Sequence, residues 1–204
     1  MNAQGKRSGE TAREYAYRMI REQVISLELK PGEAFNDMEF AAKIGVSRTP
    51  VREAVIQLSE ESRIIEIFPQ RGMRIAPIDV ELVEEARSLR VLLEKQIAGM
   101  CCEMATEEDI KWLQENVGLQ EFYMENSRPE MVMQLDDEMH HKLFMICHRE
   151  LTYGMCQKLA IHYDRIRSLS VNTVKDNTII EDHRKIIQFI AAVSYTHLTL
   201  PTIA

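Results

Sequence analysis

No stretch of the chain approaches the run of roughly 20 apolar residues that a helical membrane span needs. The first ten residues, MNAQGKRSGE, contain no apolar core of the kind a secretory signal carries. Cysteine is sparse: Cys101, Cys102, Cys147 and Cys156 sit in apolar helical stretches with no CxxC spacing. That argues against a zinc ribbon or a redox motif, and leaves four reduced, packed thiols of a cytoplasmic protein. Glycine and proline become rare beyond residue 79, and no strand-like alternation follows, so the larger part of the chain is expected to be helical. Positive charge is also short. The net charge of −7 speaks against a protein that coats nucleic acid in bulk. The deficit is uneven, however. Residues 1–78 hold 12 Lys and Arg against 11 Asp and Glu, whereas residues 79–204 hold 13 against 21. A near-neutral first part joined to an acidic second part suits a local basic face attached to a domain with another task.

What is present is organised around Ser47-Arg48-Thr49-Pro50-Val51-Arg52-Glu53-Ala54. Ser47 is placed to cap a helix with its hydroxyl, and Pro50 falls in the first turn, where a missing N–H costs little. Val51, Ala54, Val55 and Leu58 recur at helical spacing and define one apolar face. Arg48, Thr49 and Arg52 are left on the other side near the helix N-terminus. There, guanidiniums, hydroxyls and free backbone N–H groups suit contact with a polyanion. Upstream, residues 1–10 read as a disordered arm. An amphipathic helix over Thr11–Leu27 follows, with Ala16, Ile20, Val24 and Leu27 on one face, then a Lys30-Pro31-Gly32 turn. A short helix, capped by Asn36 or Asp37, ends at Gly45. Downstream, Ile64–Phe68 and Met73–Ala76 read as two strands joined by a Pro69-Gln70-Arg71-Gly72 turn. This order predicts a winged helix-turn-helix over residues 11–78, with Gln70, Arg71 and Gly72 at the wing tip.

After Pro77-Ile78-Asp79, helices are predicted near 80–104, 107–126, 129–147, 150–170 and 176–192, forming a bundle over 79–192 able to enclose a ligand. Thr106 before Glu107, Glu108 and Asp109 is an N-terminal signature. Asp136 and His140, four apart, fall on one helix face, where a carboxylate and an imidazole can share a divalent metal. The same spacing also serves an ordinary surface ion pair. His162 reads as packing or solvent-facing.

The ordered string Leu29–Glu33, Ala41–Ala54 and Pro69–Gly72 closely resembles the GntR family of bacterial transcriptional regulators. The second part resembles the all-helical FCD effector domain of the FadR-type subfamily. The matching pieces are Glu85–Arg90 with Leu93-Glu94, Asp136-x-x-Met139-His140, Tyr163–Leu169 and Glu181-Asp182-His183. Met139 stands where the family commonly has Phe, and Ser62-Arg63 where it often has Gly. The resemblance covers roughly residues 12–191. It implies a mainly α protein that acts as a homodimer on double-stranded, palindromic operator DNA, most simply as repressor of a catabolic operon. Ser47, Arg48, Thr49, Arg52, Gln70, Arg71 and Gly72 would then meet DNA. His183 would join Asp136 and His140 on a divalent metal, zinc first, with nickel or manganese as alternatives. Arg87, Arg90 and Arg165 would face a small carboxylate or sugar-acid effector. Two other functions stay open at this point: a metal-responsive regulator without an organic effector, and a metal-dependent hydrolase or lyase. For the latter, no Glu sits at a zincin-like spacing.

The string Val193–Thr202 matches, codon by codon, the translation of an adapter used in sequencing libraries. Residues 193–204 are therefore expected to be a non-native tail, with the native chain broken off near Ala191. The family's domain continues with a further helix and a fourth ligand histidine, for which His197 is no substitute.

Overall fold

The computed structural model describes residues 5–173 and 178–199, the side chains of 171–173 and 194–199 excepted. It divides into two compact units, Met1–Glu84 with Lys158–Ile166, and Glu85–Gln157 with Arg167–Ala204.

In the first unit, α1 (Ala12–Ile25) starts at a capping box in which Thr11 and Glu14 satisfy each other's backbone N–H. Its buried face is Ala16, Ile20 and Val24, as the periodicity predicts. Leu27 is past the helix end, at φ +64°. Asn36, rather than Asp37, caps α2 (Asp37–Ile44), accepting from the N–H groups of Met38 and Glu39. Gly45 ends that helix at φ +74°, a conformation for which glycine carries no Cβ penalty. The next helix, α3 (Arg48–Ser62), packs Val51, Ala54, Val55 and Leu58 fully out of solvent against α1. Burying each of the larger of these side chains contributes about 1.5–3 kcal/mol.

The sheet has three strands, ordered β1 (Ala34–Phe35), β3 (Gly72–Ile75), β2 (Ile65–Phe68), all antiparallel. The hairpin β2–β3 is the predicted wing. β1 escapes the sequence because two residues carry no alternation; it is recognisable only through its pairing of Phe35 with Met73. The arm expected to be disordered is tied down over residues 5–10. Arg18 binds Glu10 at 2.8 Å and reaches the Gly5 carbonyl at 3.3 Å, and Glu10 N–H closes a turn onto Arg7 O. Residues 1–4 lie outside the described residues.

The helical region comprises α4 (Val80–Met104), α5 (Glu107–Glu125), α6 (Pro129–Ile146), α7 (Glu150–Leu159), α8 (Ile161–Thr173) and α9 (Thr178–Thr199). Thr106 caps α5 through a capping box with Asp109. The core of the second unit is built from Ile97 and Cys101 of α4, Leu113 and Val117 of α5, Met139 and Leu143 of α6, and Ile180, Ile187 and Ile190 of α9. α5 packs against both α6 and α9. All four cysteines are free, and Cys101 and Cys147 are buried in this core. Burial pushes both thiols up from their ordinary value.

Two helix limits differ from expectation. The helix expected over 150–170 is two, α7 and α8, broken at Ala160. The break lets Ile161 enter the core of the first unit with 1% exposure; no Gly or Pro announces it. The last helix does not stop at 192 but runs to Thr199. Among the described residues, no helix is long and apolar enough to cross a membrane.

Candidate functional site

Two groups of side chains stand out, one in each unit. The first is on α3 and the wing. Ser47, Arg48, Thr49, Arg52, Gln70, Arg71 and Gly72 are all exposed. The chain reaches this arrangement because Val51, Ala54, Val55 and Leu58, the buried residues of α3, lie on its opposite face. Ser47 is the N-cap residue, but its side chain makes no capping bond. The expected hydroxyl cap is therefore not formed. Arg48 is held from below: its Nε faces both carboxylate oxygens of Asp37 at 3.0 Å, and Asp37 is itself only 3% exposed. A buried acid thus orients a half-exposed guanidinium at the start of α3. At the wing, Gln70 adopts φ +60° and Gly72 φ +100°, so the three-residue loop Pro69–Arg71 turns tightly and carries Arg71 to its tip. Arg74 pairs with Glu66 across the strands and lies over Phe68, 5.2 Å from the ring centre.

The second group is buried in the helical unit. Asp136 and His140 on α6 and His183 on α9 bring a carboxylate oxygen and two imidazole nitrogens within 4.8 Å of one another. His183 Nε2 is 3.4 Å from Asp136 Oδ1, and His140 Nε2 is 3.9 Å from Asp136 Oδ2. The two rings meet edge to face at 5.4 Å. Burial alone would raise the Asp136 carboxyl, but Arg167, His140, His183 and Arg90 together hold it down at about 2. Burial pushes His183 down to about 4, so its imidazole is neutral at physiological pH. One carboxylate and two imidazoles in a closed setting form a donor set that fits zinc, nickel or manganese.

The surroundings of this cluster were only partly predicted. Arg90 belongs to it, pairing with Glu94 at 2.6 Å and approaching Asp136 at 3.7 Å. Arg87 is exposed on α4. Arg165 does not join the cluster. It is fully buried in the first unit, where its guanidinium donates to the carbonyls of Ala76 at 2.9 Å and Pro77 at 3.4 Å. Burial there lowers it to about 10, which leaves it charged. The arginine of α8 that does reach the cluster is Arg167, bound to Asp136 and, at 3.0 Å, to Asp137. Arg165 and Arg167 are two residues apart and therefore about 200° apart around α8, so only one of them can face a given partner.

Gln120 and Asn116 belong to no motif, and Glu94 falls in a matched piece that gave it no role, yet all three line the cluster or support it. Glu94 Oε1 is 3.0 Å from His140 Nδ1, close enough for attraction but too oblique for a directed hydrogen bond. Burial would raise its carboxyl, and His140 and Arg90 reverse that. Gln120 Oε1 is 2.9 Å from His183 Nδ1. His162, expected to pack or face solvent, is buried in the first unit, with Nδ1 accepting from Asp79 N–H at 3.1 Å.

Comparison with known proteins matches both groups to families. Residues 12–75 match the bacterial regulatory proteins of the gntR family, and residues 85–195 match the FCD domain. The HTH-type transcriptional repressor RspR of Escherichia coli K12 is 30% identical over 158 residues, 78% of this chain and 69% of that protein. An HTH-type transcriptional regulator in an unstable DNA locus of Streptomyces ambofaciens is 30% identical over 184 residues, 88% of this chain and 75% of that protein. Among solved structures, E. coli McbR/YncC has the same fold, with a TM-score of 0.70 and 16% identity over 92% of this chain and 95% of that one.

Proposed function

Because the chain belongs to the GntR family of bacterial regulatory proteins and carries an FCD domain, we propose that this DNA-binding transcriptional regulator acts as a cytoplasmic, homodimeric repressor of a catabolic operon. A small carboxylate or sugar acid, bound at a divalent metal, would control it. The protein is a regulator and not an enzyme. Arg48, Thr49 and Arg52 read base edges and phosphates in the major groove, while Ser47, Gln70, Arg71 and Gly72 fix the register on the backbone. The name of RspR supports repression. Exposed apolar residues support pairing of two copies: Leu151 and Met155 of α7, one turn apart, and Val91 and Leu92 of α4, all more than half exposed.

The observation that carries the effector reading is the convergence of Asp136, His140 and His183 in the closed interior of the helical unit. A bound metal would supply a Lewis acid that takes the effector carboxylate. The chain's own contribution is Arg90, for which an incoming carboxylate competes with Glu94. The effector acts by favouring a dimer geometry whose half-site spacing no longer fits the operator. The test is fluorescence anisotropy on a DNA fragment from the protein's own promoter, titrated with zinc, nickel or manganese, each alone and with a panel of sugar acids. Loss of DNA affinity only when metal and acid are both present supports the proposal. A response to metal alone selects the metal sensor instead, and no heat of metal binding in calorimetry removes the metal from the reading.

A further inference from the structure

We infer that Asn116 and Gln120 form a polarity relay that fixes His183 in its Nδ1–H tautomer and so turns the Nε2 lone pair toward Asp136; as a metal-positioning device the relay rests on the metal reading above. Both residues are on α5, one turn apart and facing inward, Asn116 with 4% and Gln120 with 0% exposure. The chain of contacts begins at a backbone carbonyl. Leu135 O can only accept, so the Asn116 group 3.1 Å from it is the Nδ2 amide. Asn116 Oδ1 then faces Gln120 at 2.7 Å and must receive Gln120 Nε2–H. Met139 Sδ, 3.9 Å away, is a second acceptor for the same amide nitrogen. With its nitrogen thus committed, Gln120 offers only Oε1 to His183 Nδ1, at 2.9 Å. An oxygen in that place requires Nδ1 to carry the proton.

The consequence lies on the other side of the ring. His183 Nε2, now a lone pair, faces Asp136 Oδ1 at 3.4 Å in a buried setting. Two electron-pair donors held face to face away from water call for a cation between them. Asn116 and Gln120 touch neither metal nor effector. They are positioning residues, and each amide polarises the next.

The primary measurement needs no variant. Long-range proton–nitrogen correlation spectra of the metal-free full chain, at mildly alkaline pH, report which His183 nitrogen carries hydrogen. Protonated Nδ1 with bare Nε2 supports the relay; protonated Nε2, or a mixture of both forms, overturns it. Gln120→Leu is expected to give a tautomer mixture and about a 10–100-fold loss of zinc affinity. Asn116→Leu frees the Gln120 amide to rotate, so it also produces a mixture, with a smaller loss. Folded variants that keep the wild-type tautomer overturn the relay, a readout that a merely space-filling role would not move. If a variant does not fold, the wild-type spectrum decides alone. The two readings also fail separately. Wild-type protein in the Nδ1–H form that binds none of the three metals upholds the relay and removes the metal; tight zinc binding with an Nε2–H ring does the reverse.

Discussion

The two units place their functional side chains in opposite ways. In the winged-helix unit the side chains proposed to meet DNA are exposed on a helix start and a hairpin tip, and the apolar residues between them build the core. In the helical unit the side chains that meet one another are buried, and they come from α4, α5, α6, α8 and α9. An exposed site tolerates substitution without loss of structure. A buried charged site does not, because each group there compensates another. Fold stability and function should therefore separate in the first unit and be fused in the second.

The largest expected effect is at Asp136. Asp136→Ala removes the buried carboxylate that Arg167 and Arg90 share, leaving Arg167 to Asp137 and Arg90 to Glu94, and breaking a buried ion pair from one side costs up to about 3–5 kcal/mol. Thermal melts followed by circular dichroism should show the loss, and calorimetry should show zinc binding gone. A melting point within a degree or two of wild type would contradict the view that this acid holds the cluster together.

The next effect is one of pH on the metal-free protein. His183 has a folded value of about 4 against an ordinary 6.5, so between these two the unfolded chain binds the extra proton. Its contribution is complete above pH 6.5 and is lost as pH falls toward 4, about 3 kcal/mol in all. Asp136, lowered from 3.8 to about 2, adds a second loss below pH 3.8. Denaturant melts across pH 7 to 4 should weaken for wild type, and much less for His183→Gln. Equal slopes for the two would place the titrating group elsewhere.

Arg52→Ala tests the other unit. Arg52 is exposed, so the melting curve should not change, while operator affinity falls by about 1–3 kcal/mol. The salt dependence should also become shallower if the lost contact is to phosphate. Unchanged affinity would remove α3 from the interface.

The same contrast explains what could be read in advance. The winged helix was legible because its cap positions, its turn glycine and its recognition residues follow one another along the chain. The predicted α4, α5 and α6 agree with the structure to within a residue or so, because cap and proline signals mark their limits. From spacing alone the buried site was legible only where its members share a helix, as Asp136 and His140 do; His183 and Arg90 were named through the family resemblance. Which arginine of α8 reaches it depends on the rotational setting of that helix, and the sequence places Arg165 and Arg167 on different faces without saying which face is inward. Gln120 and Asn116 resemble any polar pair on a helix until Leu135 O and His183 are seen on either side of them.

The smallest expected effect concerns the end of α3. Arg63 is the C-cap of this helix and takes φ +54°, the left-handed conformation that glycine adopts without a Cβ penalty. For a residue with a Cβ this costs about 1 kcal/mol. Arg63→Gly relieves that strain but adds freedom to the unfolded chain, which offsets part of the gain. The net change should be a stabilisation of under about 1 kcal/mol, visible as a small rise in the urea midpoint at unchanged slope. Operator affinity should stay within about twofold, since Arg63 lies fifteen residues beyond Arg48, at the opposite end of α3. A clear destabilisation would mean that the Arg63 side chain makes contacts that outweigh its backbone strain, so that in this unit too an exposed charge would be holding structure.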